Sequence, residues 1–262
     1  MLVHYFWLPA MRIVFAMMNT DLAGGVRDVF EVANGLKSRG HDVWILSLLG
    51  NHKWFKGLNV RVIYKQPERY DRTATTIYKL YEVYFVLRHG ISKARKLRPY
   101  ELFSAISWRL KMTPDYIYDL AEMLQGFDSD VVVATAYPTA YSVWFADAPG
   151  KRLYFMQDFP ELVEDMEGTI GVKRFRLSLR LFSHFVTLSS YGRQLILEEN
   201  PTAKVTIAHP GVDHEVFRPR QGIVETRGKK VMVILRGPVL RVKGDEVAIR
   251  VLNEVSRRIP LH

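Results

Sequence analysis

Met11-Arg12-Ile13-Val14-Phe15-Ala16, a short polar turn, Gly24-Gly25-Val26 and then a long amphipathic segment stand in this order near the start of the chain. The apolar run reads as a strand and the glycines as a tight turn. Val26, Val29, Phe30, Ala33 and Leu36 recur with a period near that of a helix. Gly40 is placed as the glycine that ends this helix. Val43-Trp44-Ile45-Leu46-Ser47-Leu48 reads as a second buried strand, so the three pieces form one βαβ unit. In open α/β sheets ligands bind beyond the carboxyl ends of the strands. Helix amino termini there also attract anions. The Gly24-Gly25 turn is therefore the first candidate site.

The same alternation continues outward. Asn59–Tyr64 reads as a short third strand, followed by a mostly helical insertion at about 73–126. Asp130–Thr135, Arg152–Met156, His184–Leu188 and Lys204–Ala208 read as further strands. Their near-continuous apolar character suits a parallel sheet covered on both faces. Tyr191–Glu199 reads as a helix that stops before Pro201. The expected fold is α/β, a Rossmann-like, doubly wound and mostly parallel sheet. The expected domains are an extension at 1–10, a Rossmann-like domain at 11–219, a linker at 220–229 and the start of a second domain at 230–262. That second piece offers one strand, Lys230–Leu235, and one helix, Val247–Arg258, with Val247, Val251, Leu252 and Val255 on one side. One strand and one helix do not close a core of their own.

Composition narrows the setting. The 262 residues are 48% hydrophobic, enough for a substantial core. No apolar run reaches the roughly 18 residues that cross a membrane. Met1–Leu8 is apolar but short, and it lacks the basic region of a signal peptide. The absence of cysteine excludes disulfides, thiolate metal sites and cysteine nucleophiles. A cytoplasmic protein is expected, and the lack of cysteine is compatible with a thermophile. The net charge is +10 and unevenly spread. Residues 65–111 hold eleven Lys/Arg against four acids, a net of +7. Such a patch suits a phosphate-rich partner or a solvated helix face. Ile77, Leu80, Tyr81, Tyr84, Phe85 and Arg88 mix aromatic and basic residues at helical spacing. This pattern fits a membrane-surface helix or a helix packed on the core. Nucleic acid is not expected as a partner, because no reading motif accompanies the charge.

Several chemistries are excluded. The first turn is no G-x-G-x-x-G, and no acid follows the second strand, where Leu48-Leu49-Gly50 stands. A dinucleotide's ribose therefore lacks its hook. There is no G-x-x-x-x-G-K-[ST] and no G-x-S-x-G. The eight histidines are scattered, so no metal site is expected.

Five segments taken in order resemble the family 4 glycosyltransferases. They are Met11–Phe15, Gly24-Gly25-Val26, Ala33–Val43, Thr187-Leu188-Ser189-Ser190-Tyr191, and His209-Pro210-Gly211-Val212-Asp213 with Phe217-Arg218-Pro219. The last is the most specific. The resemblance implies the GT-B fold, in which two Rossmann-like domains face a cleft. It also implies transfer of a sugar from a nucleotide-sugar donor to a glycan or lipid-linked acceptor. Retention of anomeric configuration and no metal or other cofactor go with it.

By this resemblance Gly24 and Gly25 match the glycine loop that lies against the donor diphosphate. Backbone amides of such a loop are free to meet oxygen. Gln157-Asp158 looks like the Q-D or Q-E element of members that transfer deoxyhexoses. Asp158 is the candidate catalytic residue, orienting an acceptor hydroxyl or acting as base; its alternative is a helix cap or a structural hydrogen bond near Pro160. Ser189 falls at the cleft-facing end of a strand, where it also fits the cap of the helix at Tyr191. Leu235-Arg236-Gly237-Pro238-Val239-Leu240-Arg241-Val242-Lys243-Gly244 is similar to the family's donor-side G-R-x…-K-G pattern. Lys243 and one of Arg236 or Arg241 then hold the diphosphate, whose charge grows as it leaves.

Two departures stand out. Where the family often has a histidine after the fourth strand, this sequence reads Thr135-Ala136-Tyr137-Pro138, which leaves Tyr137 as a further cleft residue. The paired-glutamate segment that binds donor sugar and ribose is not reached before His262. The expectation is weak or no transfer by the chain alone, with a second polypeptide completing the donor domain. The alternative is a non-catalytic acceptor- or membrane-binding domain. For the cytoplasmic protein expected, peripheral contact with the inner membrane face through 73–111 is one option, and an ordinary helix packed on the core is the other.

Overall fold

A computed structural model describes residues 9–65, 115–215, 217–218 and 244–258. Two compact units divide the chain, the first through His209 and the second from Pro210. The first is a seven-stranded sheet flanked by helices. In chain order its elements are β1 (Arg12–Asn19), α1 (Gly24–Ser38), β2 (Asp42–Leu49), a 3-10 turn (His52–Trp54) and β3 (Arg61–Tyr64). There follow α2 (Asp115–Gln125), β4 (Val131–Ala134), α3 (Tyr137–Ala146), β5 (Lys151–Met156) and α4 (Pro160–Ser178). Then come β6 (His184–Thr187), α5 (Ser190–Glu199) and β7 (Lys204–Ile207). In the second unit the described helix is α6 (Asp245–Ser256).

The strand order is β3-β2-β1-β4-β5-β6-β7, and every pair is parallel. This is the expected α/β Rossmann-like sheet. The chain runs outward from β1 to β3, then returns to β4 on the other side of β1. The topological switch point therefore lies between β1 and β4, with the β1–α1 and β4–α3 turns on either side.

Alternation along β1 sorts its side chains into two layers. Ile13, Phe15 and Met17 pack with Val29, Phe30 and Ala33 of α1 and with Val43 and Ile45 of β2. Val14 and Ala16 face the other way, onto Leu120, Ala121 and Leu124 of α2 and Ala140 and Val143 of α3. Tyr154, Phe182 and Phe185 extend this second layer, with Tyr154 tilted against both phenylalanines and Phe182 edge-on to Phe185, 5.5–6.2 Å between centroids. Gly40 follows α1 at φ +90°, and its amide bonds the Lys37 carbonyl.

Some boundaries differ from the sequence expectation. β3 begins at Arg61 rather than Asn59, because the Asn59 amide donates to Asn34 Oδ1 of α1 (2.8 Å) instead of a strand partner. Two helices, α3 and α4, had no counterpart in the periodicity. α3 has six buried residues among ten, including polar Thr139 and Ser142, so no polar face marks it. α4 contains a break at Gly168 (φ 68°, ψ −166°), which interrupts its spacing. On α6, Ala248, Leu252 and Val255 are half-buried while Val247 and Val251 are exposed. The strand expected at 230–235 and the insertion up to residue 114 lie outside the described residues. Among the described residues no helix is long and apolar enough to cross a membrane.

Candidate functional site

The β1–α1 turn is held from below. Thr20 is fully buried, and its hydroxyl bonds the Tyr64 hydroxyl at 2.6 Å. Trp54 Nε1 donates to the Thr20 carbonyl (2.8 Å), and the Asn51 amide donates to Asp21 Oδ1 (3.1 Å). The β2–β3 connection thus fixes where α1 begins. Ala23 caps α1 without a polar side chain, and no acid stands in the first turn. The leading amides of α1 remain available to an oxygen ligand.

Gly24 has open space where a side chain would stand, whereas Gly25 does not. A Cβ on Gly25 would lie 2.9 Å from Gln157 Oε1. Gln157 Nε2 donates to the Gly25 carbonyl at 3.3 Å. Gln157 Oε1 is buried, without a hydrogen-bond partner among the described residues. The glycine turn and the Gln-Asp element, 132 residues apart in sequence, therefore touch. Close backbone approach, not left-handed geometry, is what position 25 requires of glycine.

Across the switch point, β4 leads into α3. The Thr135 hydroxyl donates to the Ala16 carbonyl (2.8 Å), tying β4 to β1. Thr139 Oγ1 accepts the amides of Thr135 (2.9 Å) and Ala136 (3.0 Å). The Tyr137 amide donates to Asp158 Oδ2 at 2.7 Å. Asp158, at the end of β5, thereby does for α3 what a capping side chain does for its own helix. The helix that begins at Pro160 has Phe159 as its N-cap and no side-chain cap, so the Asp158 carboxylate serves α3 instead. Burial pushes the Asp158 carboxyl up to about 6, and the Tyr137 amide opposes this. A carboxyl tuned toward neutrality has the basicity to take a proton from a hydroxyl.

The Tyr137 hydroxyl donates to Glu167 Oε2 of α4. Burial and the Glu167 charge push the phenol well above its usual range. Burial also raises Glu167, while the Tyr137 hydroxyl and Arg174 pull it down. Sequence reasoning missed Glu167. Its one signal is Gly168 beside it, a glycine inside a helical stretch.

Ser189 Oγ accepts the Gly192 amide (3.1 Å) and so caps α5. Tyr191 stacks on Phe159 (5.6 Å between centroids), and its hydroxyl donates to Glu161 at 2.7 Å. Gly24, Gly25, Gln157, Asp158 and Tyr137 thus form one connected group, while Ser189 is engaged in its own helix. Arg236, Arg241 and Lys243 lie outside the described residues. Among the described residues no three His, Asp or Glu side chains are grouped to hold a metal ion.

No protein-family model and no curated protein matches the sequence. Among solved structures the chain is similar to the lipopolysaccharide outer core galactosyltransferase WaaB in its apo form. Identity is 8%, over 77% of this chain and 46% of that one, with a TM-score of 0.45. It is also similar to HepE of Anabaena in complex with UDP and glucose, at 11% identity over 80% and 47% of the chains and a TM-score of 0.48. The glycosyltransferase SnogD from Streptomyces nogalater follows at 13% identity over 81% and 57%, with a TM-score of 0.42. The chain spans about half the length of the solved structures it matches.

Proposed function

We propose that this chain supplies the acceptor-side domain of a retaining glycosyltransferase, which moves a sugar from a nucleotide sugar to a glycan or lipid-linked acceptor. The observation that carries this reading is the contact between Gln157 and Gly25 beside the sheet's switch point. It joins two segments that the resemblance assigns to one cleft. In this reading the open amides of α1 meet the donor diphosphate. Lys243, with Arg236 or Arg241, neutralises the charge that grows on the leaving diphosphate. Asp158 orients the acceptor hydroxyl and receives its proton. Ser189 shapes the neighbouring cleft wall through the start of α5.

HepE holds UDP-glucose in its solved structure, so this donor is the first to test. Calorimetric titration of the chain with UDP-glucose and other nucleotide sugars is the direct experiment. Gly25→Val is expected to weaken binding by roughly tenfold or more, because the new side chain displaces Gln157 and covers the amides. Equal affinity in the folded variant would exclude the glycine turn from the site.

Acceptor delivery at a membrane surface is favoured by a separate observation. Tyr118, Trp144 and Phe145 are exposed, and the Phe145 ring touches those of Tyr118 and Trp144, with centroids 5.4 and 5.2 Å apart. The +7 segment at 65–111 immediately precedes α2, which carries Tyr118. Aromatic rings at the headgroup level together with basic residues are what an anionic bilayer holds. Cosedimentation with anionic vesicles should weaken as salt rises and fall on Trp144→Ala. Binding to uncharged vesicles alone would contradict this reading.

A further inference from the structure

Tyr137, Asp158 and Glu167 are linked beneath the β4–α3 turn in a way that the assignment of Asp158 does not use. Tyr137 is 5% exposed and is gripped at both ends. Its amide donates to Asp158 Oδ2 at 2.7 Å, and its hydroxyl donates to Glu167. Glu167 is itself fixed in place. Gly168 next to it takes φ 68° and ψ −166°, a conformation open to glycine, and turns α4 there. One helical turn on, Gly171 leaves room for the Glu167 side chain: a Cβ there would stand 2.5 Å from Glu167 Cβ and 3.1 Å from Glu167 Oε2. The two glycines make a seat for one carboxyl group, which accepts from the hydroxyl of Tyr137.

We propose that Glu167 is a positioning residue for Asp158, acting through the Tyr137 hydroxyl to hold the amide that Asp158 accepts. This rests on the reading of Asp158 as the acceptor-side carboxylate, but it concerns geometry that exists before any substrate binds. The ring of Tyr137 spans the distance between the two carboxyls, so anchoring its hydroxyl fixes the direction of its own amide. A glutamate suits the task because its side-chain oxygen reaches and accepts from the phenol hydroxyl. The charged and titratable groups around the pair come from three elements. Arg174 of α4 favours the charged form of Glu167, Asp158 of the β5 end disfavours it, and Tyr116 of α2 acts on Tyr137.

The test is NMR on the ligand-free protein. It reads the Asp158 carboxyl titration and hydrogen exchange of the amide at position 137. In Tyr137→Phe the exchange should quicken by at least about tenfold, the change expected for losing one charge-assisted hydrogen bond. The Asp158 midpoint should move above its starting value of about 6, because the amide that lowers it is released. Glu167→Gln keeps an oxygen for the hydroxyl, so exchange should stay near that of the parent and the midpoint should not rise. Glu167→Leu should exchange as fast as Tyr137→Phe. If Tyr137→Phe and Glu167→Leu fold and retain the parent's exchange rate, the proposal is wrong. It is equally wrong if Glu167→Gln behaves like Glu167→Leu, since charge rather than the bond would then matter. Should Glu167→Leu not fold, Tyr137→Phe and Glu167→Gln decide alone. These readouts need no nucleotide sugar, so a failure here is distinct from a failure of the transferase reading.

Discussion

At the residue scale, Asp158 carries opposing demands. Folding half-buries a carboxylate that water would solvate, which raises its affinity for a proton. The folded value near 6 lies above the unfolded value of about 3.9. The native state therefore binds more protons between those two values, and stability falls as pH rises through that window. Above about pH 6 the full cost is present; below about pH 4 it is gone. Asp158→Asn retains an oxygen for the Tyr137 amide and removes the charge. It should stabilise the protein at pH 7.5 by on the order of 1–3 kcal/mol, with the gain vanishing toward pH 4. Thermal melts of the parent and variant across this range check the sign. Loss of stability at pH 7.5 would mean that the charge serves the fold. A residue whose charge costs stability is where a functional requirement is expected.

At the element scale, the break in α4 is the informative feature. Gly168 has nothing within 4 Å of where a Cβ would stand, so its need for glycine is conformational. Gly168→Ala should cost about 1–3 kcal/mol in urea unfolding, the range for a residue forced into such a region. A neutral result would mean that α4 runs through the break at no penalty. The contrast with α1 explains what the sequence made legible. Val29, Phe30 and Ala33 sit at helical spacing on a helix with one solvated face, and β1 and β2 bracket it as plain apolar runs. α3 offers no such contrast because polar Thr139 and Ser142 are buried while apolar Trp144 and Phe145 are exposed. α4 loses its period at Gly168. The site divides in the same way. Gly24 and Gly25 follow a strand, where the βαβ pattern locates them, and Gln157 and Asp158 follow another, where the family resemblance marks them. The link from Asp158 to the Tyr137 amide and from Tyr137 to Glu167 spans 21 and 30 residues. Such pairings exist only once the sheet order brings β4 and β5 side by side.

At the scale of the whole molecule, the switch point between β1 and β4 organises the candidate site. The glycine turn lies on one side of it and the Tyr137 turn on the other. Gln157 and Asp158, from the next strand, reach one residue of each. This arrangement belongs wholly to the unit ending at His209. If the reading of the site holds, these turns form one ligand-facing surface. Amide chemical-shift mapping during titration with nucleotide sugars checks this. Shifts at Gly24, Gly25, Val26 and the Gln157 side-chain amide should saturate together. Saturable shifts confined to other parts of the sheet, with these four unmoved, would contradict it.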